Sequence, residues 1–336
     1  MTKAYKIALM PGDGIGPEQT NATLEVLAAI EQVTPVKMVF IEAPGGDDCL
    51  KKRGEALPAD TIQTLRSTDA CLKAPVGESA ADVIVKLRQM FDLYANLRPI
   101  KSYPGAMAAR DDIDMLFVRE NTEDLYKGYE FRVGEDTVGL RVITKRGCQR
   151  IAEMAFKHAM KRRKRVTAVH KANVLRTTDG LFREVCNAVA LKYPEVAFDE
   201  LYVDNASMQL IKRPHEFDVI VTTNMFGDIL SDEAAQLGGG LGMAAGANVG
   251  DKYGLFEPIH GSAPKHAGKN DANPVSMILA AKMMLEWLGE ADAANRIDEA
   301  VLATLREKKT LTRDIGGTAG TKEMAAEIVK KILSGR

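Results

Sequence analysis

The chain has 336 residues, too many for one small core and suited to two domains or one large α/β unit. A formal net charge of −1 removes the electrostatic case for a nucleic-acid partner. No apolar run reaches the roughly 18 residues that a membrane span needs, and the four scattered cysteines (Cys49, Cys71, Cys148, Cys186) fit no zinc spacing and read as reduced thiols of a cytoplasmic protein.

The opening MTKAYKIALMPGDG passes straight into a strand over 5–10 and a glycine turn, which is not the pattern of a signal peptide. The turn, PGDGIGP, leads into a helix over 18–30. It is only superficially a dinucleotide fingerprint, because Pro17 stands where the third glycine belongs and no acid follows at the right distance. A strand over 37–42, a helix over 59–67 and a strand near 70–74 come next. Residues 80–88 have a helical pattern that carries the apolar Ile84 and Val85 and ends on Arg88. Arg98 follows at a strand-like edge, and a strand over 114–119 ends on Arg119. Three arginines near element ends suit a di-anion, since the guanidinium fork binds carboxylates in pairs; taken singly, each is equally a surface ion pair.

Residues 133–144 alternate around Gly134 and Gly139 as a hairpin, an arm able to pair with a second chain. A helix over 150–163 precedes a strand over 166–170, whose end carries Lys171, a candidate base if partly buried. The basic run 161–165 reads as a solvated helix end. A helix over 178–192 and a strand over 197–203 place Asp204 at another strand end. The strand over 217–223 then delivers NMFGDILSD, where Asp228 and Asp232 lie one turn apart on one helix face. Such a pair is either a solvated acidic face or a hard-cation site; the intervening Ile229 and Leu230 and the following GGGLG suggest a packed setting. Residues 250–268 read as a long Gly/Pro-rich loop whose amides could face phosphates. Helices over 275–288, with Trp287 on the apolar side, 291–306 and 321–333 close the chain.

Together, PGDGIGPE, DLYANLRP, VRENTEDLY, HKANVL, VDNASMQL, TTNMFGDILSD, EPIHGSAPKHAG and DIGG run nearly end to end. They resemble the metal-dependent β-decarboxylating dehydrogenases acting on 3-isopropylmalate, isocitrate and homoisocitrate. The resemblance implies an α/β two-domain fold with an open mixed sheet, distinct from the Rossmann fold. Residues 1–98 plus 240–336 would form the larger, cofactor-binding domain, and 99–239 the smaller domain with the dimer interface and arm. It implies that Arg88, Arg98 and Arg119 clamp the malate carboxylates, with Asn173 beside the substrate, and that Tyr126 protonates the enol carbon. Lys171 would act on the 2-hydroxyl from across a homodimer interface, and Asp204 from that same partner would join Asp228 and Asp232 around Mg²⁺ or Mn²⁺. Glu257, His260, Gly261, Ser262, Ala263, Lys265, His266 and Asn273 would form the NAD or NADP loop. The chemistry agrees: hydride leaves C2 for a nicotinamide while a base takes the hydroxyl proton, and the resulting 2-keto acid loses its β-carboxylate.

Within that family, bacterial isocitrate enzymes carry Ser and Asn where this chain has Asp82 and Ile84. Homoisocitrate enzymes can carry Arg where it has Val85. An apolar wall of Ile84 and Val85 suits an isopropyl group, so 3-isopropylmalate is expected, with isocitrate or homoisocitrate as the alternative. Glu78 or Asp82 is left to meet the nicotinamide. Lys265-His266, in place of the Asp-Ile of many NAD enzymes, favours a 2′-phosphate, whereas the loop over 312–316 resembles the short NAD-type form; NADP is expected to be accepted. A silent regulatory subunit would have lost acid, base or metal ligands; Tyr126, Lys171, Asp204, Asp228 and Asp232 are all present.

Overall fold

The computed structural model describes residues 4–335; the first three residues of the opening stretch and Arg336 lie outside the described residues. In chain order the main elements are β1 (Ala4–Met10), α1 (Gly16–Val33), β2 (Lys37–Glu42), α2 (Asp47–Arg53), α3 (Ala59–Arg66), β3 (Ala70–Lys73), α4 (Lys86–Met90), β4 (Ala95–Lys101) and β5 (Asp114–Glu120). The hairpin β6 (Glu130–Val133) and β7 (Asp136–Gly139) follows, then α5 (Lys145–Ala159), β8 (Arg165–His170), α6 (Thr178–Ala190), β9 (Ala197–Tyr202), α7 (Val203–Lys212), β10 (Val219–Thr222) and α8 (Asn224–Leu237). The chain ends with β11 (Ala245–Val249), β12 (Gly254–Pro258), α9 (Val275–Trp287), α10 (Ala291–Glu307) and α11 (Thr321–Ser334).

Ten strands form one open mixed sheet, ordered β2-β1-β3-β12-β11-β4-β5-β10-β8-β9. Both wings are parallel, and the centre, β12-β11-β4-β5, is antiparallel. The inner parallel strands are buried on both faces and read as short apolar runs, such as Val219–Thr222. At the outer edge, β9 exposes Ala197, Glu200 and Tyr202 and is only partly covered between them, and the charged Glu200 discourages further pairing.

The central register builds the site. It sets Asn248 of β11 opposite Asn96 of β4, and Asn96 opposite Arg119 of β5. Alternation along β4 puts Arg98 on the same face as Asn96. A polar row thus crosses three adjacent strands in the middle of the sheet, all of it buried.

Three features depart from the sequence expectation. The loop expected over 250–268 contains the central strand β12, and its partner β11, where no element was expected, precedes it: AGANV and GLFEP have little strand propensity, but tertiary packing overrides it by burying every residue of both. Helix α5 starts at Lys145 because Thr144 caps it, its hydroxyl accepting the Gly147 N–H at 3.0 Å. Leu230 is buried as expected, but Ile229 is 62% exposed, on a surface that also carries exposed Met208 and Ile211.

Candidate active site

A cavity of about 330 Å³ opens over the polar row, lined among others by Ile84, Val85, Arg88, Arg98, Arg119, Tyr126, Asp228 and Glu257. Ile84 and Val85 arrive there because residues Ala81–Val85 wind as one π-helical turn ahead of α4, the kind of widening common at functional sites. With Val76, Ala80 and Ala81 they make one apolar wall; the arginines make the other.

Helix α8 brings both acids to the arginine side. Gly227 permits this: a Cβ there would sit 2.6 Å from the Arg119 side chain. Arg98 reaches Asp228 at 3.1 Å and Asp232 at 3.0 Å, so the one-turn spacing does put both carboxylates on one face. Arg119 contacts Asp228 at 2.5 Å and holds the Asn224 side-chain oxygen at 2.7 Å. Tyr126 donates its hydroxyl hydrogen to the other Asp228 oxygen. Burial pushes the Asp228 carboxyl up, but Arg119 and Arg98 outweigh it and hold it below the ordinary range; at Asp232 burial prevails and raises it. Two adjoining carboxylates with accessible side chains are hard-cation donors. Yet among the described residues no three His, Cys, Asp or Glu side chains of one chain are grouped to hold a metal ion. The third expected acid, Asp204, instead pairs with Lys171 at 2.5 Å, and neither residue lines the cavity. Asn173 is exposed near them.

Beneath Arg88 lies a network the sequence reading missed. The Asn248 side-chain oxygen accepts from Arg88 (2.9 Å), Asn96 (2.9 Å) and Asn121 (3.0 Å). Its amide donates to Glu257 at 2.7 Å, and Glu257 is ion-paired with the buried Lys73 at 2.6 Å. Lys73 and Arg88 overcome burial and pull the Glu257 carboxyl down to about 2. Glu257, expected with the cofactor loop, lines this arginine-lined cavity. A lysine closing the apolar run ACLK was the available signal for the pair.

A second cavity of about 790 Å³ adjoins the first through shared His260 and Gly261. Ala263, His266 and Asn273 of the expected loop line it, together with Arg313 and Asp314 at the DIGG motif and with Gln19 and Asp271, which no motif marked. Gln19 donates to the Asn273 carbonyl at 2.7 Å and lies 3.1 Å from His260, whose burial lowers its pKa and keeps it neutral. Lys265 is exposed outside this lining, and Ser262 acts through its backbone, accepting the Ile15 N–H at 2.9 Å. That contact needs Gly14, at φ +59° and with no room for a Cβ against Ser262.

The PGDGIG acid is a structural cap. Buried Asp13 accepts the backbone N–H groups of Asp47, Asp48 and Gly77 at 2.8–2.9 Å. Asp47 in turn accepts those of Glu78 and Ser79 at 3.0 and 2.8 Å. The turn before the apolar wall is thereby held by its amides and by the Ser79 hydroxyl, which donates to Asp47 at 2.6 Å. Glu78 itself is exposed, and Asp82 pairs with Lys86 at 2.8 Å.

An open mixed sheet thus carries a small arginine-lined cavity beside a larger one, room for two ligands side by side. The chain belongs to the isocitrate/isopropylmalate dehydrogenase family, whose pattern matches residues 6–328. It is 51% identical to the 3-isopropylmalate dehydrogenase of Methanothermobacter thermautotrophicus, covering 98% of this chain and 99% of that one. It is 44% identical to the homoisocitrate dehydrogenase of Methanocaldococcus jannaschii, over 97% of each chain. The crystal structure of isocitrate dehydrogenase from Methylococcus capsulatus superposes with a TM-score of 0.93 at 44% identity, covering 98% and 99% of the two chains. The protein is thus a metal- and nicotinamide-dependent decarboxylating dehydrogenase of hydroxy acids, and among its described residues no helix is long and apolar enough to cross a membrane. Relatives named for three different substituents match nearly the whole chain, so the choice of substituent rests on the few side chains lining the cavity.

Proposed function

We propose that this protein oxidises and decarboxylates 3-isopropylmalate to 2-oxoisocaproate, a step of leucine biosynthesis, as a cytoplasmic homodimer with shared active sites. The observation that carries the substrate is the wall of Val76, Ala80, Ala81, Ile84 and Val85 facing Arg88, Arg98 and Arg119. The malate carboxylates belong on the arginine side. An isopropyl group is sheltered by the wall, whereas a third carboxylate would be desolvated there without a partner.

Arg88, Arg98 and Arg119 hold the two carboxylates, and Lys171 takes the 2-hydroxyl proton as hydride leaves C2. After CO₂ departs, Tyr126 returns a proton to C3. Mg²⁺ or Mn²⁺, when bound, supplies the Lewis acid for the C2 oxygen, and NAD or NADP accepts the hydride. Asp228 and Asp232 would hold the metal with Asp204 of a second copy; one chain offers only two of the three. The exposed apolar side chains Met208, Ile211 and Ile229 on α7 and α8, and Tyr129, Phe131 and Val133 on the hairpin, support a second copy covering them. We assign residues 1–98 plus 240–336 and 99–239 to the larger and smaller domains, with the cavity between them. The test is a side-by-side assay of the purified chain with 3-isopropylmalate, isocitrate, homoisocitrate and D-malate, each with NAD and NADP and with metal removed and restored. The highest kcat/KM for either tricarboxylate would overturn the substrate assignment.

A further inference from the structure

Arg141 lies just past the hairpin, outside both cavities, and its side chain is largely buried. Its Nε donates to Asp124 at 2.6 Å, while a second nitrogen donates to Asp179. A third nitrogen donates to the Thr223 hydroxyl at 2.9 Å, and the guanidinium stacks 5.1 Å from the Phe226 ring. Asp124 and Asp179 are fully buried, and each has a second task. Asp124, at φ +66°, accepts the Leu125 N–H and reaches the Met225 N–H at 3.2 Å, so it ties the Tyr126 loop to the first turn of α8. Asp179 accepts the backbone N–H of Lys171 at 2.6 Å.

One guanidinium therefore pins the Tyr126 loop through one carboxylate and the Lys171 turn through the other. The fork geometry matters, because a lysine cannot span both acids at once. On the shared-site reading above, Tyr126 serves this chain's own site and Lys171 serves the partner's. We propose that Arg141 is a positioning residue that sets the acid of one active site and the base of the other, linking the two sites of the dimer through the root of the hairpin.

Displacing either group from reacting distance costs rate, with a misplacement of about 1 Å worth up to about a hundredfold. An Arg141→Gln homodimer is expected to lose about tenfold or more in kcat. KM for the hydroxy acid should stay within a few fold, since Arg88, Arg98 and Arg119 are untouched. The discriminating experiment uses hybrid dimers purified through two different tags. A wild-type/Lys171→Ala hybrid loses one base and keeps half the wild-type activity. A wild-type/Arg141→Gln hybrid damages the acid of one site and the base of the other, so its activity falls well below half. Because Arg141→Gln leaves two buried acids facing each other, which opposes folding and assembly, Arg141→Lys, which keeps the charge but not the fork, carries the same measurement. A Lys171→Ala/Asp228→Asn hybrid runs alongside. If it regains activity while the Arg141 hybrid retains half, sharing stands and the link is overturned. If it regains none, sharing and the link fall together. A raised KM with unchanged kcat in the Arg141 homodimer would also overturn the assignment.

Discussion

Tyr126 gives its hydroxyl hydrogen to Asp228 while the Arg119 guanidinium lies over the same ring, 5.1 Å from its centre. Burial raises the phenol's pKa, and Asp228 adds to that against the pull of Arg119, so Tyr126 stays protonated as an acid should. Replacing it by Phe keeps the ring and removes the proton. Tyr126→Phe is expected to lower kcat by about 10²–10⁴-fold, the usual worth of a general acid, with the melting temperature and substrate KM little changed. A kcat within a few fold of wild type, under conditions where chemistry is rate-limiting, would assign the proton to another group.

The substituent wall gives the second prediction. Val85 is only partly buried and lines the cavity, so an arginine there has open space to enter. Val85→Arg should lower kcat/KM for 3-isopropylmalate and raise it for isocitrate. Each buried methylene contributes roughly 0.8 kcal/mol, so the wall favours an alkyl group moderately over none, which D-malate as a third substrate measures. A folded Val85→Arg enzyme with the parental substrate ratio would remove this turn as the specificity element.

Two cations stand at the larger cavity, where we propose that the nicotinamide cofactor binds: Arg313 in its lining, and Lys265 exposed outside it. Losing a charge-assisted contact to a 2′-phosphate costs about 1.5–3 kcal/mol. Arg313→Ser is therefore expected to weaken NADPH by about tenfold or more relative to NADH, and Lys265→Asp by less, in fluorescence titrations of the free enzyme. Equal effects of either substitution on both cofactors would mean that neither cation meets the phosphate.

Much of this was legible beforehand. The strand ends bearing Arg119, Lys171 and Asp204 and the helix bearing Asp228 and Asp232 declared themselves through local pattern; the hairpin did so in part, its strands lying at 130–139 around Gly134 and not at 133–144. The central strands β11 and β12 did not, because glycines, alanines and a proline suppress the strand signal that burial restores. The Asn248 hub was hidden for a related reason. It depends on which strands are neighbours in the sheet, and Asn96, Asn121 and Asn248 carry no mark of that in their own surroundings. Lys171 and Asp204 were legible as chemistry, but nothing in their spacing shows that they pair with each other within one chain.

The Lys73–Glu257 pair predicts a pH dependence of stability. The Glu257 carboxyl is depressed from an ordinary 4.5 to about 2. Its stabilisation is thus complete above about pH 4.5 and is lost as pH falls toward 2. In urea melts, Glu257→Gln should be less stable than wild type by about 3–5 kcal/mol at pH 7, because it strands a buried lysine. That gap should narrow on going below pH 4.5. A gap that stays constant from pH 7 to pH 3 would show that the carboxylate carries no linked proton.

The turn ahead of the substituent wall is gripped by Asp13 and Asp47 through the N–H groups of residues 77–79. Most of that grip is on backbone groups; Ser79 adds its hydroxyl at 2.6 Å, and Gly77 is required because a Cβ there would sit 2.1 Å from Asp47, but no side chain that follows residue 79 takes part. Val83 is fully buried, but the less buried Ala80, Ala81 and Val85 can be exchanged while the backbone that presents them stays anchored. Drift at these positions would then alter substrate choice before it endangered folding, which gives a duplicated copy of such a chain an accessible route to a new substituted malate.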